Sequence, residues 1–164
     1  MTDFLDELEV QEIKVKIMKA LPFFTPFTNE ELLSIIQTST LVRYDPGEII
    51  VHEGDEGRAF FIILQGRVTI QKMVAKTRIK KPILVLEKGQ CFGEVAVVTG
   101  ERRGADAVAE FKTSLLKIEA DALNKETDSI HFKSIQLKFY QIFARILAKR
   151  LILTDDLLVK EMLY

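Results

Sequence analysis

The sequence has 164 residues, 48% of them hydrophobic and 29% charged, with a formal net charge of −1. That composition excludes a disordered chain, and the charge balance gives the molecule no general attraction to nucleic acid. One domain is expected over 1–164, burying roughly 70% of its extended surface, and the single Cys91 cannot close an internal disulfide, which fits a reducing compartment.

The segment Met1–Glu7 is acidic and lacks the basic-then-apolar order of an export signal. The longest apolar run, Ala59–Leu64, falls well short of the ~20 residues of a membrane span. A soluble, cytoplasmic protein with no membrane partner is therefore expected. In chain order, Phe4, Leu8, Val15 and Met18 fall on one helical stripe and predict a helix over 3–19. After Leu21-Pro22, the series Thr28-Asn29-Glu30-Glu31 has capping-box form, with Phe27 and Leu32 at the spacing of a hydrophobic staple. A second helix over about 29–37 follows, so 1–40 reads as N-terminal helices.

All eight glycines lie between Gly47 and Gly104, so the middle of the chain is rich in turns. Short β-like runs are predicted over 48–52, 59–64, 67–72, 82–86, 105–110 and 113–118. No helix-length crossover separates them, which favours a sandwich, jelly roll or barrel over 41–120. From about 129 to 163 the chain predicts one long helix or two broken ones. Ile135, Phe139, Ile142, Ile146, Leu153 and Leu157 keep a 3–4 spacing, with Lys149 in the gap. The first part of this seam packs on the barrel; the remainder either continues that packing or pairs with a second copy of the chain.

The chemistry concentrates in Gly89-Gln90-Cys91-Phe92-Gly93-Glu94-Val95-Ala96-Val97-Val98 and Gly100-Glu101-Arg102-Arg103-Gly104-Ala105. A cyclic phosphodiester is a permanent monoanion that needs converging N–H donors and one fixed cation. A short helix opening after Gly93 presents free amides, and glycine removes the Cβ that would hold the backbone away. An arginine fork can give two charge-assisted hydrogen bonds to phosphate oxygens. A carboxylate beside a phosphate repels it, so Glu94 makes sense only as an acceptor for a ribose hydroxyl.

These residues resemble the cyclic-nucleotide-binding family, seen in bacterial cyclic-AMP receptor proteins and protein kinase A regulatory subunits. Phe92 through Val97 match its phosphate-binding cassette at each position, and Arg103 falls at its arginine spacing. Pro46-Gly47-Glu48, Ile50, Glu53-Gly54-Asp55 and Phe61–Gly66 resemble its strands and turns, and the likeness covers about residues 21–155. The resemblance implies a mainly β fold: an eight-stranded jelly-roll-like β-roll flanked by N-terminal helices and a long C-terminal helix. It implies that Glu94 binds the ribose 2′-hydroxyl and Arg103 the phosphate, with amides of Val95, Ala96, Gly104 and Ala105 completing a cradle that begins at Phe92 and Gly93. It also aligns Ile70 and Leu84 with strand positions that contact the base. Thr154 matches a C-terminal-helix threonine that reaches the adenine amino group in the cyclic-AMP receptor proteins.

Three departures from the family bear on the ligand. Arg102 replaces a proline common in the family, leaving open which arginine points inward. Gly104 stands where cyclic-GMP binders commonly carry threonine, which leans the ligand towards cyclic AMP, with cyclic GMP second. Asp106 stands where relatives often carry threonine, serine or an aromatic residue; it either faces the phosphate and weakens binding or faces out and pairs with Arg102. Two readings remain open: a cyclic-AMP sensor signalling through its last helix to a sister subunit or an effector protein, and a fold that lost its ligand and dimerises through 131–163.

Other chemistries are set aside. His52 and His131 are too far apart in sequence for a cupin-type metal cluster, Cys91 has no partner that would make it a nucleophile, and no P-loop or dinucleotide fingerprint appears. No metal or cofactor and no catalytic residue is expected. Lys72, Lys76, Arg78, Lys80 and Lys81 lie between two strands and read as a solvated hairpin tip. With the chain stopping at Tyr164 there is no room for a helix-turn-helix, so DNA is not an expected partner.

Overall fold

In the computed structural model, which describes residues 7–163, the capping box forms as its residues dictate. Thr28 Oγ1 accepts from the Glu31 amide at 3.2 Å, and Glu31 Oε2 accepts from the Thr28 amide at 2.8 Å. Helix α2 (Asn29–Thr38) starts there, preceded by α1 (Glu7–Lys19) and a 3₁₀ turn at Pro22–Phe24. Phe27 and Leu32 are both buried, as a staple requires. On α1, Val15 and Met18 are buried, but Leu8 is exposed, so the predicted stripe does not reach the start of the helix. Phe4 lies outside the described residues.

Eight strands follow: β1 (Ser39–Tyr44), β2 (Ile49–Val51), β3 (Ala59–Gln65), β4 (Arg67–Met73), β5 (Lys80–Glu87), β6 (Cys91–Phe92), β7 (Asp106–Ala109) and β8 (Thr113–Glu119). They form two four-stranded antiparallel sheets, ordered β1-β8-β3-β6 and β2-β7-β4-β5. The expected jelly-roll architecture is thus present. The six predicted runs all appear, joined by β1 and the two-residue β6.

Period-two alternation in β3 divides the interior. Ala59, Phe61 and Ile63 turn between the sheets, where they meet Val68, Leu86, Phe92, Ala107 and Leu115. Phe60 and Ile62 turn to the other side, against Leu32, Phe139 and Phe143 of the helices. After β8 come a short α4 (Asp121–Asn124) and α5 (Ile130–Met162), one unbroken helix whose first turn is capped by Ser129. Ile135, Phe139, Ile142 and Phe143 are buried, whereas Leu153 and Leu157 are exposed along with every other residue from Leu151 to Leu163. The apolar seam of α5 therefore packs on the roll only through its N-terminal half.

Candidate functional site

The turn at Gly93 organises the site. Its φ of +86° is left-handed, and a Cβ there would lie 2.6 Å from Arg103 Nη1 and 3.1 Å from the Ala59 carbonyl. Only glycine meets both conditions without strain. The short helix α3 (Glu94–Thr99) starts immediately after it, and Phe92 just before it stacks on Phe61, with ring centroids 5.0 Å apart. Gly57 presses against α3 from the neighbouring loop, where an added Cβ would lie 2.1 Å from that of Ala96.

Arg103 is the inward arginine. It is buried; Nη1 donates to the Gly93 carbonyl at 3.0 Å, Nη2 to the Ala59 carbonyl, and its guanidinium carbon lies 5.9 Å from the Phe61 ring centroid. Its Nε is buried without a hydrogen-bond partner. Burial lowers the Arg103 pKa, and the nearby carboxylates of Asp55, Glu94 and Glu119 oppose that fall. Arg102 is exposed and donates to the Gly54 carbonyl at 3.0 Å.

Glu94, at 1% exposure, is nearly as buried as any core residue. Its Oε1 accepts from Arg150 Nη1 of α5, and Arg150 Nη2 donates to the Cys91 carbonyl at 2.6 Å. Burial raises the Glu94 pKa above the usual carboxylate range; Arg150, its own amide and Arg103 pull the other way without cancelling it. A buried carboxylate next to Gly93 and a buried guanidinium bonded to the Gly93 carbonyl, with one N–H unpartnered, suit a ligand carrying both a hydroxyl and an anion.

The remaining predicted residues fall into three groups. Ala96 is buried, Val95 and Gly104 are exposed, and Ala105 is half-buried, so this backbone lies along the edge of the site. Ile70 and Leu84 are cross-strand partners that pack on the inter-sheet core. Thr154 is exposed, its hydroxyl returned to the Arg150 carbonyl at 2.8 Å, one turn of α5 beyond Arg150. Here its hydroxyl is taken up by its own helix.

Asp106 differs from both expectations. It neither faces the arginine site nor pairs with Arg102. On β7 its neighbour Ala107 turns into the inter-sheet core, which puts Asp106 on the opposite face. There it is 1% exposed, with Oδ1 accepting from the Glu53 amide at 2.7 Å and Oδ2 from Lys80 Nζ and, at 3.5 Å, from Gln71. Burial pushes its pKa up, but the Glu53 amide and Lys80 outweigh that and hold it low. Asp106, which together with the missing proline motivated the ligand-free reading, is accounted for by these contacts.

Arg150 is the site residue that sequence reasoning did not single out. The signal was present: Ile142, Ile146, Arg150 and Thr154 share one face of α5 at four-residue spacing, and a cation in such a stripe needs an acceptor. Lys76 and Arg78 lie at the β4–β5 hairpin tip, with Lys72, Lys80 and Lys81 on its strands. His131 Nε2 lies 2.8 Å from the Ser34 hydroxyl. Among the described residues, no three His, Cys, Asp or Glu side chains form a metal-holding group, and no helix is long and apolar enough to cross a membrane.

Comparison with known proteins is consistent with this geometry. The family model described as cyclic nucleotide-binding domain matches residues 41–129. The human cGMP-dependent protein kinase 2 is 31% identical over 112 residues, covering 68% of this chain and 14% of that protein. The cGMP-dependent protein kinase of Eimeria tenella is 27% identical over 129 residues, covering 77% of this chain and 12% of that protein. The chain thus spans a small fraction of these relatives. Among solved structures, the regulatory subunit of a cAMP-independent protein kinase A from Trypanosoma brucei superposes with a TM-score of 0.70 at 22% identity, covering 85% of this chain and 46% of that one. A cyclic nucleotide-binding domain from Methylobacillus flagellatus gives 0.69 at 21% identity, covering 86% and 80%. At these identities the two structures share the fold.

Proposed function

The chain belongs to the cyclic nucleotide-binding domain family, and we propose that it is a regulatory module that binds cyclic AMP and acts by binding, without catalysis. The observation that carries this reading is Arg103: buried, resting on two carbonyls, with an unpartnered Nε, and within electrostatic reach of the buried Glu94. A buried guanidinium with an unsatisfied donor is costly unless an anion completes it. A cyclic phosphate supplies that anion, and its ribose 2′-hydroxyl donates to Glu94 alongside Arg150.

Cyclic AMP is preferred over cyclic GMP because Gly104 has no hydroxyl to offer a guanine amino group. Ile70 and Leu84 would flank the base within the roll, and Thr154 would reach its edge if α5 moves inward. The ligand's arrival at Glu94 would be felt by Arg150 and so by α5. We propose that α5 passes the signal on, either to an effector protein or to a second copy through the exposed apolar side chains of 151–163.

Calorimetry with cyclic AMP and cyclic GMP tests the ligand. Cyclic AMP binding more tightly than cyclic GMP supports the reading; tighter cyclic GMP reverses the ligand assignment, and no heat with either at high micromolar concentration sinks the function. Light scattering with and without nucleotide tests the pairing of α5.

A further inference from the structure

We infer that Asp106 is a positioning residue for Arg103, acting through the turn at Glu53–Asp55. This rests on the reading of the Arg103 pocket as a phosphate site. Besides the exposed bond from Arg102 to the Gly54 carbonyl, three hydrogen bonds tie the turn to Arg103 and the strand that follows it. The Gly54 amide donates to the Arg103 carbonyl at 2.8 Å, the Arg103 amide donates to the Asp55 carbonyl at 2.8 Å, and the Glu53 amide donates to Asp106 Oδ1 at 2.7 Å. The first two grip the backbone of Arg103 itself. The third uses a buried side chain, so substitution can remove it, whereas the Arg102 bond to the same turn is exposed.

The carboxylate is held rigidly for this purpose. Its second oxygen is fixed by Lys80 from β5 and Gln71 from β4, and the group is 1% exposed. Without Asp106 the Glu53 amide loses its partner and the turn loses its anchor to β7. The Arg103 guanidinium must meet two carbonyls and a ligand at once, and a displacement of its Cα by a fraction of an ångström spoils that geometry. An anion buried on the far face of β7 thus supports a cation on the ligand side, without touching the ligand.

The test combines calorimetry with hydrogen exchange on the full chain, comparing Asp106→Ala, Asp106→Asn and Arg103→Ala. Asp106→Ala is expected to weaken cyclic AMP about tenfold, while Asp106→Asn, which keeps an oxygen for the Glu53 amide, stays within about fivefold of the parent. In an Arg103→Ala background, Asp106→Ala is expected to cost less than about twofold more, since its effect runs through the arginine; a full additional tenfold loss overturns the inference. The Gly54 and Arg103 amides are expected to exchange at least about tenfold faster in Asp106→Ala. If the parent binds no cyclic nucleotide, the proposed function fails, and unchanged exchange at these two amides would separately overturn the positioning role of Asp106. Should Asp106→Ala not fold, Lys80→Met carries the same exchange measurement with the same two outcomes.

Discussion

Arg150 and Glu94 stand 56 residues apart in sequence, yet the guanidinium of one closes over the carboxylate of the other where α5 crosses the start of α3. This is a buried ion pair with one end a quarter exposed: Glu94 at 1% and Arg150 at 25% side-chain accessibility. Its arginine fork also spans to the Cys91 carbonyl, so the contact fixes helix to sheet as well as charge to charge.

Arg150→Ala strands Glu94 without its cation. Breaking a fully buried pair costs roughly 3–5 kcal/mol; with Arg150 partly solvated, about 2 kcal/mol is expected in urea unfolding. Arg150→Lys recovers less than half of this, because an ammonium cannot serve the carboxylate and the Cys91 carbonyl in one plane. A lysine variant as stable as the parent would show that the fork geometry is irrelevant.

The two adjacent arginines are expected to behave differently. Arg103→Ala weakens cyclic AMP at least about tenfold by calorimetry, whereas Arg102→Ala, which loses an exposed bond to the Gly54 carbonyl, changes affinity less than about twofold. Gly93→Ala is expected to approach the Arg103→Ala loss with the arginine still present, since the new Cβ would lie 2.6 Å from Nη1 and push the guanidinium aside.

Phe139 is the hub of the helix-side core, with its ring centroid 4.9 Å from Phe27, 5.3 Å from Phe60, and 6.1 Å from both Phe23 and Phe143. Phe139→Ala leaves a cavity bordered by all four rings and is expected to cost about 3–5 kcal/mol. Phe111→Ala, on an exposed ring under Arg67, is the matched control at less than about 1 kcal/mol.

Acid should weaken the join between α2 and α5 through Glu31. Burial raises its pKa, but Lys138, Ser134 and the Thr28 amide all donate to the carboxylate and bring it below its ordinary 4.5. A lowered folded-state value means the stabilisation is complete above 4.5 and disappears as pH falls through the folded value. Urea midpoints measured from about pH 6 down to about pH 3 should fall less steeply for Glu31→Gln than for the parent. Asp106 is shifted the same way, so some acid slope persists; parallel curves would remove Glu31 from the account.

Sequence disclosed the roll and its cassette because both depend on local chemistry. Gly93 must be left-handed, Thr28 and Glu31 cap each other, and an unbroken apolar run between Gly57 and Gly66 marks β3. It missed β1 because α2 runs into Ser39 with no glycine or proline between them. It missed β6 because two residues carry no period. Asp106 was legible as unusual but not as to which way it faced, since its partners Glu53, Gln71 and Lys80 come from three other segments. Arg150 depended likewise on α5 crossing α3, a tertiary fact.

The outer end of α5 turns angle into distance. Beyond Arg150 none of the described residues is buried, and the twelve helical residues to Met162 extend roughly 18 Å at 1.5 Å each. A tilt of about 10° at the Arg150 fulcrum would sweep the tip through about 3 Å over that length. The buried residues up to Phe143 hold the root of this rod. Arg150 is its last tie to the cassette, so a small shift there becomes a large one at the tip.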